Sequence, residues 1–398
     1  MAKRRLEDLE RFAIDVILHG RGGKRAALLR AVLLLLSKVF TAIVRLRVHL
    51  YSTGHLKSSF PGCTVISIGN LTVGGTGKTP VVELFARTLR DNGRRVAILS
   101  RGYKSRKPPV LRRWQNRWRN VSPTLSRIVH DGHSLLLDSG LAGDEPYMLA
   151  KSLGNVVVLT DRDRRRAAAT AVEIFKSDTL LLDDGMQYLP LGRRIEVCLV
   201  DSQAPFGNGY LLPRGTLREP VDHIRRADYI LLTKCASPGN DDLIRKIREH
   251  NRFADIIECT HAPLHLVNLH SGEQLPLSWL EGKLVGALSG IARPESFEEK
   301  LEQLGATIDI RERFADHHRF SDHEIQRFSE RCTNRGLHAL LTTEKDAVRF
   351  PETHLRNAVP TLYLRVHIEI LSGQSAWQKL VDSLCDPPAL SPPEPVFA

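Results

Sequence analysis

The chain is predicted to be an α/β protein: a doubly wound, mostly parallel sheet, with a second, smaller α/β domain joined to it by a two-stranded linker. Three observations carry that prediction. Short apolar runs recur and end in polar residues, helical patterns fill the gaps between them, and the pattern changes near residue 260. The runs are "CTVISIGN" (63–70), "RVAILSRGY" (95–103), "NVVVLTD" (155–161), "DTLLLDDG" (178–185), "EVCLVD" (196–201) and "YILLTK" (229–234). Unbroken Val/Ile/Leu stretches of this length suit strands buried on both faces, as in a parallel sheet. Segments 80–91, 144–153, 162–176 and 240–250 are patterned as helices, and strand, loop and helix in repetition build a doubly wound domain. Such sheets bind ligands at the carboxyl ends of their strands, where Asn70, Arg101, Asp161, Asp183, Asp184, Asp201 and Lys234 fall.

The rest of the chain is predicted around that domain, taken as residues 53–258. Residues 1–52 form a basic, apolar helical segment. Its stretch "AALLRAVLLLLSKVFTAIVRLRVHLY" (26–51) is interrupted by Arg30 and Lys38 and so lacks an uncharged run long enough to span cleanly. Apolar residues occupy nearly all its faces and Lys/Arg flank it, which suits a helix lying in a membrane interface. A helix packed on the protein's own core and a tilted single span are the alternatives. Residues 259–385 form the smaller domain, opened by "LHLVNLHSGEQLPL", which reads as a hairpin around a Ser-Gly turn. A helix near 294–304, a strand near 306–310 and a helix near 321–335 follow. The Pro-rich tail 386–398 has the composition of a disordered segment. Residues 104–127 read as a basic surface insertion carrying Trp114 and Trp118.

Charge narrows the partners. The 398 residues carry a formal net charge of +12, which favours an acidic partner: nucleic acid, a phosphorylated substrate or an anionic membrane surface. With no zinc-finger or RNP-type signature and few aromatics in stacking arrangements, nucleic acid is set aside. The six cysteines are scattered without a C-x-x-C pair, which argues against a zinc site or a disulfide framework. No sequence feature points to an obligate protein partner.

The stretch "NLTVGGTGKTPVVELFARTL" (70–89) carries the chemistry. A P-loop needs glycines so that backbone N–H groups can face phosphate, a lysine for the terminal phosphates and a Ser/Thr hydroxyl for Mg²⁺. Gly74, Gly75 and Gly77 supply the turn, Lys78 the charge and Thr79 the hydroxyl, within a nucleotide-binding stretch of Thr72, Val73, Gly74, Gly75, Thr76, Gly77, Lys78 and Thr79. Thr72 stands where the motif has its first glycine, but a strand precedes the loop and a helix opens at Pro80, a favoured first-turn residue. The first domain is therefore P-loop NTPase-like. Such enzymes hold Mg²⁺ with a carboxylate at another strand end, and "TLLLDDG" supplies Asp183 and Asp184. These parts specify nucleotide hydrolysis or phosphoryl transfer and no more. The absence of a full N-K-x-D base reader around "LLTKCAS" weighs against a GTPase.

Taken in order, the motifs resemble one family, the tetraacyldisaccharide 4'-kinases, the lipid A 4'-kinases of Gram-negative bacteria. The pieces are "SIGNLTVGGTGKTP" (67–80), "LSRGY" (99–103), "GDEPYMLA" (143–150), "LLDDGMQYLPLGRRIEVCLVD" (181–201), "FGNGYLLPRGTLREP" (206–220), "LLTK" (231–234), "SGIARPESF" (289–297), "FADHHRF" (314–320) and "LTTEKDAVR" (341–349). They span about residues 40 to 365. The resemblance implies transfer of the γ-phosphoryl of ATP, with Mg²⁺, to the 4'-hydroxyl of a tetraacylated glucosamine disaccharide 1-phosphate. It also implies two α/β domains joined by a two-stranded ribbon, and attachment to the cytoplasmic face of the inner membrane through the N-terminal helix.

The same resemblance implies roles. Asp144 of the G-D-E-P motif would take the proton of the sugar hydroxyl, paired with His317 of the D-H motif. Residues alone would make Asp144 a helix N-cap instead. Lys78 and Arg218 would face the transferring phosphoryl. Thr79, Asp183 and Asp184, with Glu219 as a further candidate, would hold Mg²⁺. Asn70, Arg101 and Tyr103 would meet the disaccharide or its 1-phosphate. The chain departs from the family's D-D-G-F-Q-H stretch with Met186 and Tyr188 in place of Phe and His; the substituted histidine is expected to be structural. Two other readings stand beside the kinase: a P-loop ATPase or GTPase acting as an assembly factor or metallochaperone, and a basic membrane scaffold that holds nucleotide for stability.

Overall fold

The computed structural model describes residues 12, 15–17, 22–102, 126–351 and 359–385. Tyr103, nearly all of the basic insertion, the Pro-rich tail and most of residues 1–21 lie outside them. The helices are α1 (Lys24–Ser52), α2 (Lys78–Asp91), α3 (Ser139–Ala142), α4 (Asp144–Leu153), α5 (Arg164–Glu173), α6 (Asp241–Arg248), α7 (Pro294–Gln303), α8 (Asp322–Asn334), α9 (Glu344–Ala347) and α10 (Gln374–Cys385). The strands are β1 (Thr64–Asn70), β2 (Val96–Ser100), β3 (Arg127–Asp131), β4 (Val157–Thr160), β5 (Thr179–Asp183), β6 (Ile195–Asp201), β7 (Tyr229–Thr233), β8 (Asp255–Asn268), β9 (Gln274–Leu275), β10 (Leu284–Ser289), β11 (Thr307–Arg313), β12 (Ala339–Thr343) and β13 (Thr361–Ser372).

Among the described residues, all thirteen strands join one sheet, in the order β11-β10-β12-β13-β8-β7-β6-β1-β5-β2-β4-β3, with β9 beside β8. Every residue of β1, β2, β5, β6 and β7 is buried, as expected of parallel strands covered on both faces. β3 is an antiparallel edge. The parallel register sets Ile68 opposite Asp183, Asn70 opposite Leu199, and Asp201 opposite Thr233, so the chemistry-bearing ends share one edge of the sheet.

β8 turns the sheet from one half to the other. Residues 255–258 run parallel to β7, and from Glu258 onward β8 pairs antiparallel with β13, which in turn runs parallel to β12. The ribbon between the halves is thus β8 with β13. The hairpin expected at 264–277 exists, but it adds only the two-residue β9 against Leu266 and Val267. The expected boundary at 258/259 falls inside β8. α10, assigned by sequence to the smaller domain, packs back on the first half: Leu380 and Leu384 enter its core, and Trp377 meets Phe85 edge-on at 4.9 Å between ring centroids. Its apolar residues at 377, 380, 381 and 384 recur at helical spacing and form a single stripe to bury.

The second half has an apolar cluster on each face of its sheet. α7 brings Phe297 and Leu301 against Val285 and Leu341, and α8 brings Ile325 and Phe328 against Leu288 and Leu340. α8 starts in a reciprocal capping box between Ser321 and Glu324. α1 touches the body only along a narrow stripe. Ala26, Ser37 and Val48 are buried, Phe40 packs on the core beside Leu211, and the Ser37 hydroxyl donates to the Leu211 carbonyl at 2.9 Å. Leu28, Leu35, Val39, Ile43 and Leu46 are exposed.

Candidate active site

The P-loop turns between β1 and α2 on a left-handed Gly77 (φ 80°). A Cβ there would lie 2.4 Å from the His261 ring, so only glycine fits. The glycine absent at position 72 is not needed. Thr72 bridges antiparallel to Leu217, and Val73 N–H donates to the Thr216 carbonyl at 2.7 Å, which makes an extended backbone that accepts a side chain. The same pairing brings Arg218 to the loop, its N–H donating to the Leu71 carbonyl at 2.7 Å.

Three side chains brace the loop from behind. Lys234 Nζ donates to the Gly75 carbonyl at 2.5 Å and to Asp201 Oδ2 at 2.6 Å, and Thr233 Oγ1 donates to the Thr76 carbonyl at 2.9 Å. His261 of β8 packs against Gly77, and burial, with Lys234 nearby, pushes its imidazole down to about 4. It is therefore a neutral ring at physiological pH. Sequence reading placed Lys234 at a strand end without a role and missed His261. Its only local signal would have been the requirement for Gly77, which sequence shows without its cause.

Asp183 and Asp184 differ sharply. Asp184, in a left-handed conformation (φ 56°), accepts both its Oδ atoms' bonds from Arg218 Nη1 at 2.8 and 2.7 Å, with Lys78 Nζ at 3.6 Å. Burial works to raise its carboxyl, but Lys78 and Arg218 outweigh that and hold it below the usual carboxylate range. Lys78, Arg218 and Asp184 are thus together, as the motifs required. Asp183 is buried deeper. Its Oδ2 accepts from Ser100 Oγ at 2.9 Å, and its Oδ1 is buried with no hydrogen-bond partner. Burial first, then Glu145 and Asp184, pushes its carboxyl up to about 7. An orphaned carboxylate oxygen beside a second carboxylate fits a hard cation with oxygen ligands such as Mg²⁺. Thr79, in the first turn of α2, adds a hydroxyl.

Asp144 is the first residue of α4, and its N-cap is Gly143, so the capping role is not the one it fills. Its carboxylate is buried and faces the second half. Arg349 Nε donates to Oδ2 at 2.9 Å, Arg319 Nη2 donates to Oδ1 at 3.1 Å, and His317 Nδ1 lies 3.6 Å from Oδ2. Burial would raise this carboxyl, but His317, Arg349 and Arg319 outweigh it and hold it below the ordinary value. The expected Asp144–His317 pair is therefore close, at 3.6 Å, with Arg349 hydrogen-bonded to both members. His318, the neighbouring ring, turns instead to Glu324 at 3.1 Å. Glu145, next to Asp144, acts on Asp183 and so links the two carboxylate clusters.

Two residues with expected roles are engaged within the protein itself. Asn70 is fully buried. Its amide donates to the Thr72 carbonyl and Oγ1 at 2.8 and 3.1 Å, and its Oδ1 accepts from Lys78 at 3.2 Å. It braces the P-loop. Glu219 is committed elsewhere: its Oε2 accepts from Arg226 Nη2 and meets His223 Nδ1, both at 2.6 Å, all three residues buried. That ties its Oε2 to side chains of the first half. Arg101 is exposed just beyond β2. Tyr188, in the position where the family has His, donates its hydroxyl to Asp163 Oδ1 at 2.7 Å, with the Arg164 guanidinium stacked 4.2 Å from its ring centroid.

A glycine-turned backbone cradle at the carboxyl edge of a parallel sheet, its lysine held over a strand-end carboxylate, defines a P-loop nucleotide-dependent enzyme. Residues 29–386 match the family described as Tetraacyldisaccharide-1-P 4'-kinase. The tetraacyldisaccharide 4'-kinase of Anaeromyxobacter sp. (strain K) is 39% identical, over 91% of this chain and 93% of that one. The corresponding protein of Syntrophus aciditrophicus is 35% identical, over 87% and 92%. The crystal structure of LpxK from Aquifex aeolicus in complex with ATP superimposes with a TM-score of 0.70 at 30% identity, covering 89% of this chain and 99% of that one. The chain belongs to the tetraacyldisaccharide-1-P 4'-kinase family, and it is an ATP-dependent kinase.

Proposed function

We propose a division of labour for the reaction, transfer of the γ-phosphoryl of ATP to the 4'-hydroxyl of a tetraacylated glucosamine disaccharide 1-phosphate in lipid A biosynthesis. The stretch from Thr72 to Thr79 cradles the phosphates of ATP, with backbone N–H groups from Gly74 onward, because Val73 N–H is taken by the Thr216 carbonyl. Lys78 and Arg218, which rest on Asp184 here, turn to the transferring phosphoryl and stabilise its charge. Thr79, Asp183 and Asp184 would hold Mg²⁺, which when bound neutralises charge on the phosphates. Asp144 takes the proton of the 4'-hydroxyl as it attacks. Arg101 and Tyr103 meet the disaccharide or its 1-phosphate; Arg101 follows Ser100, which bonds Asp183, so β2 delivers it to the same edge.

One observation supports this reading most: Asp144 is a buried carboxylate, held low by two guanidiniums from the other half of the molecule, Arg349 and Arg319, with His317 beside them. Asp144→Asn is expected to lower kcat by about 10²- to 10⁴-fold, with KM for ATP within about threefold of the parent. Product carrying a new 4'-phosphate is the readout. Full activity in Asp144→Asn would end the assignment.

α1 supports attachment to the cytoplasmic face of the inner membrane. It is long and apolar enough to cross a bilayer. Yet Ser37 ties its middle to Leu211, and Arg45 pairs with Asp222 at 3.2 Å, so one stripe is fastened to the body while the rest is exposed. That suits a helix lying in the interface of an anionic membrane. Alkaline carbonate is expected to strip the enzyme from membranes; retention in the pellet would mean that α1 spans.

A further inference from the structure

We propose that Arg349 is the positioning residue of the proton-accepting pair: supplied by the second half, its guanidinium holds the Asp144 carboxylate and the His317 ring at once, and decides which ring nitrogen carries the proton. This rests on the reading of Asp144 as the base.

The side chain of Arg349 is fully buried. It makes four hydrogen bonds: Nε to Asp144 Oδ2 at 2.9 Å, Nη1 to the Gly290 carbonyl at 3.0 Å and to Asp346 Oδ1 at 3.1 Å, and Nη2 to His317 Nδ1 at 2.9 Å. Two of these fix the guanidinium to its own half. Asp346 is itself anchored, its Oδ2 accepting from Gly290 N–H at 3.0 Å and Thr343 Oγ1 at 2.7 Å. The other two reach the pair. The planar fork is thus oriented before any substrate arrives.

Arginine has donors and no acceptor. His317 Nδ1 must therefore accept from Nη2, which leaves the ring proton on Nε2 and the imidazole neutral. In that tautomer Nδ1 faces Arg349, with Asp144 Oδ2 3.6 Å away. His317 is oriented through Arg349, and Asp144 keeps its Oδ1 side for Arg319, a cation with 44% of its side chain exposed and so more easily displaced by an entering hydroxyl. Arg349 lies 205 residues from Asp144 and crosses the junction between the halves. A merely structural stitch is also present there, and it serves as a comparison. Arg365 of β13 bonds Glu83 of α2 and Glu344 of α9, and its Nη1 donates to Ser152 Oγ at 2.6 Å, without touching Asp144.

The test compares Arg349→Met, Arg349→Lys, His317→Ala and the double variant Arg349→Met/His317→Ala in the full-length enzyme with ATP, Mg²⁺ and tetraacyldisaccharide 1-phosphate. Arg365→Met reports loss of an inter-half stitch alone, and ATP affinity and thermal midpoint report folding. Arg349→Met is expected to lower kcat by about 10²-fold with KM for ATP within about threefold. Arg349→Lys keeps a charge without the fork and should recover less than about tenfold of that loss. Adding His317→Ala to Arg349→Met should cost less than about threefold, although it costs more in the parent, since groups acting as a unit are not additive. The proposal is overturned if a folded Arg349→Met or Arg349→Lys keeps kcat within about threefold of Arg365→Met, or if the Arg349 and His317 effects simply multiply. Full activity in Asp144→Asn would instead remove the base reading itself, whatever Arg349 does.

Discussion

Asp144 and Asp183 are both buried carboxylates at the carboxyl edge of the sheet, and their surroundings are opposite. Asp144 is met by two guanidiniums and an imidazole, and stays ionised. Asp183 is met by Ser100, with Glu145 and Asp184 nearby, keeps one oxygen without a partner, and is pushed toward protonation. The protein itself supplies the counter-charge for the first. For the second the counter-charge must come from outside, as it would from a nucleotide's cation. The difference is geometric in origin. Asp144 starts a helix that faces the second half, whose cations reach across, whereas Asp183 ends β5 in the middle of the first half, flanked by β1 and β2.

The strongest way to break this contrast is Asp183→Asn. A carboxyl whose folded value lies near 7, against 3.8 unfolded, stabilises the fold below its unfolded value and loses that stabilisation as pH rises through 7. Asparagine cannot ionise, so without nucleotide or metal the variant should be more stable than the parent at pH 8, by on the order of a few kcal/mol. The gap should narrow as pH falls below 7 and close only near and below 3.8, where the carboxyl is neutral in the folded and unfolded states alike. Activity should fall by more than about 10²-fold at every pH, with loss of the Mg²⁺ response. Thermal midpoints across pH check the first expectation; a gap that persists at low pH would mean that Asp183 is not a stored charge. At Asp144 the sign reverses: the carboxyl is held low, so its stabilisation is present above the unfolded value and is lost only as pH falls through the folded one.

The two clusters were unequally legible in the sequence. The Asp183 side is local. β1 and β5 are unbroken apolar runs because both faces are covered, and the loop, Lys78, Thr79 and the two aspartates follow those runs directly. Thr72 looked like a defect only because its pairing with Leu217 is invisible in a linear motif. The Asp144 side is non-local. Its helix was read correctly, but Arg349 and Arg319 have no periodicity that points to a carboxylate 205 or 175 residues away. The two-stranded ribbon was expected, but its strands were placed at the 264–277 hairpin rather than in β8 and β13, for a similar reason. β13 is buried only in part along its length, and its partner β8 changes neighbours midway, so neither gives a single sustained pattern. Glu219 and Asn70 each sit in a motif-rich stretch, and both make buried contacts within the first half that no linear motif shows.

Tyr188→His sharpens the contrast at its smallest scale, because Tyr188 belongs to the Asp183 side of the site but its hydroxyl bonds Asp163 rather than Asp183 or Asp184. Its hydroxyl bonds Asp163, whose carboxyl is held far below the ordinary range first by Arg165 and then by Tyr188 itself, against the effect of burial. Its ring supports Arg164, which donates to the Asp184 carbonyl at 3.4 Å. Replacement by His, the family's residue here, loses one hydrogen bond to a charged partner and part of the surface under the guanidinium. The expected loss of stability is about 1–2 kcal/mol. With the P-loop, Lys78, Arg218 and Asp144 intact, kcat should stay within about threefold of the parent. A larger change, in either direction, would show that the ring at 188 reaches the reacting groups, and the Asp183 side would then include a titrating residue in the family that this chain has given up.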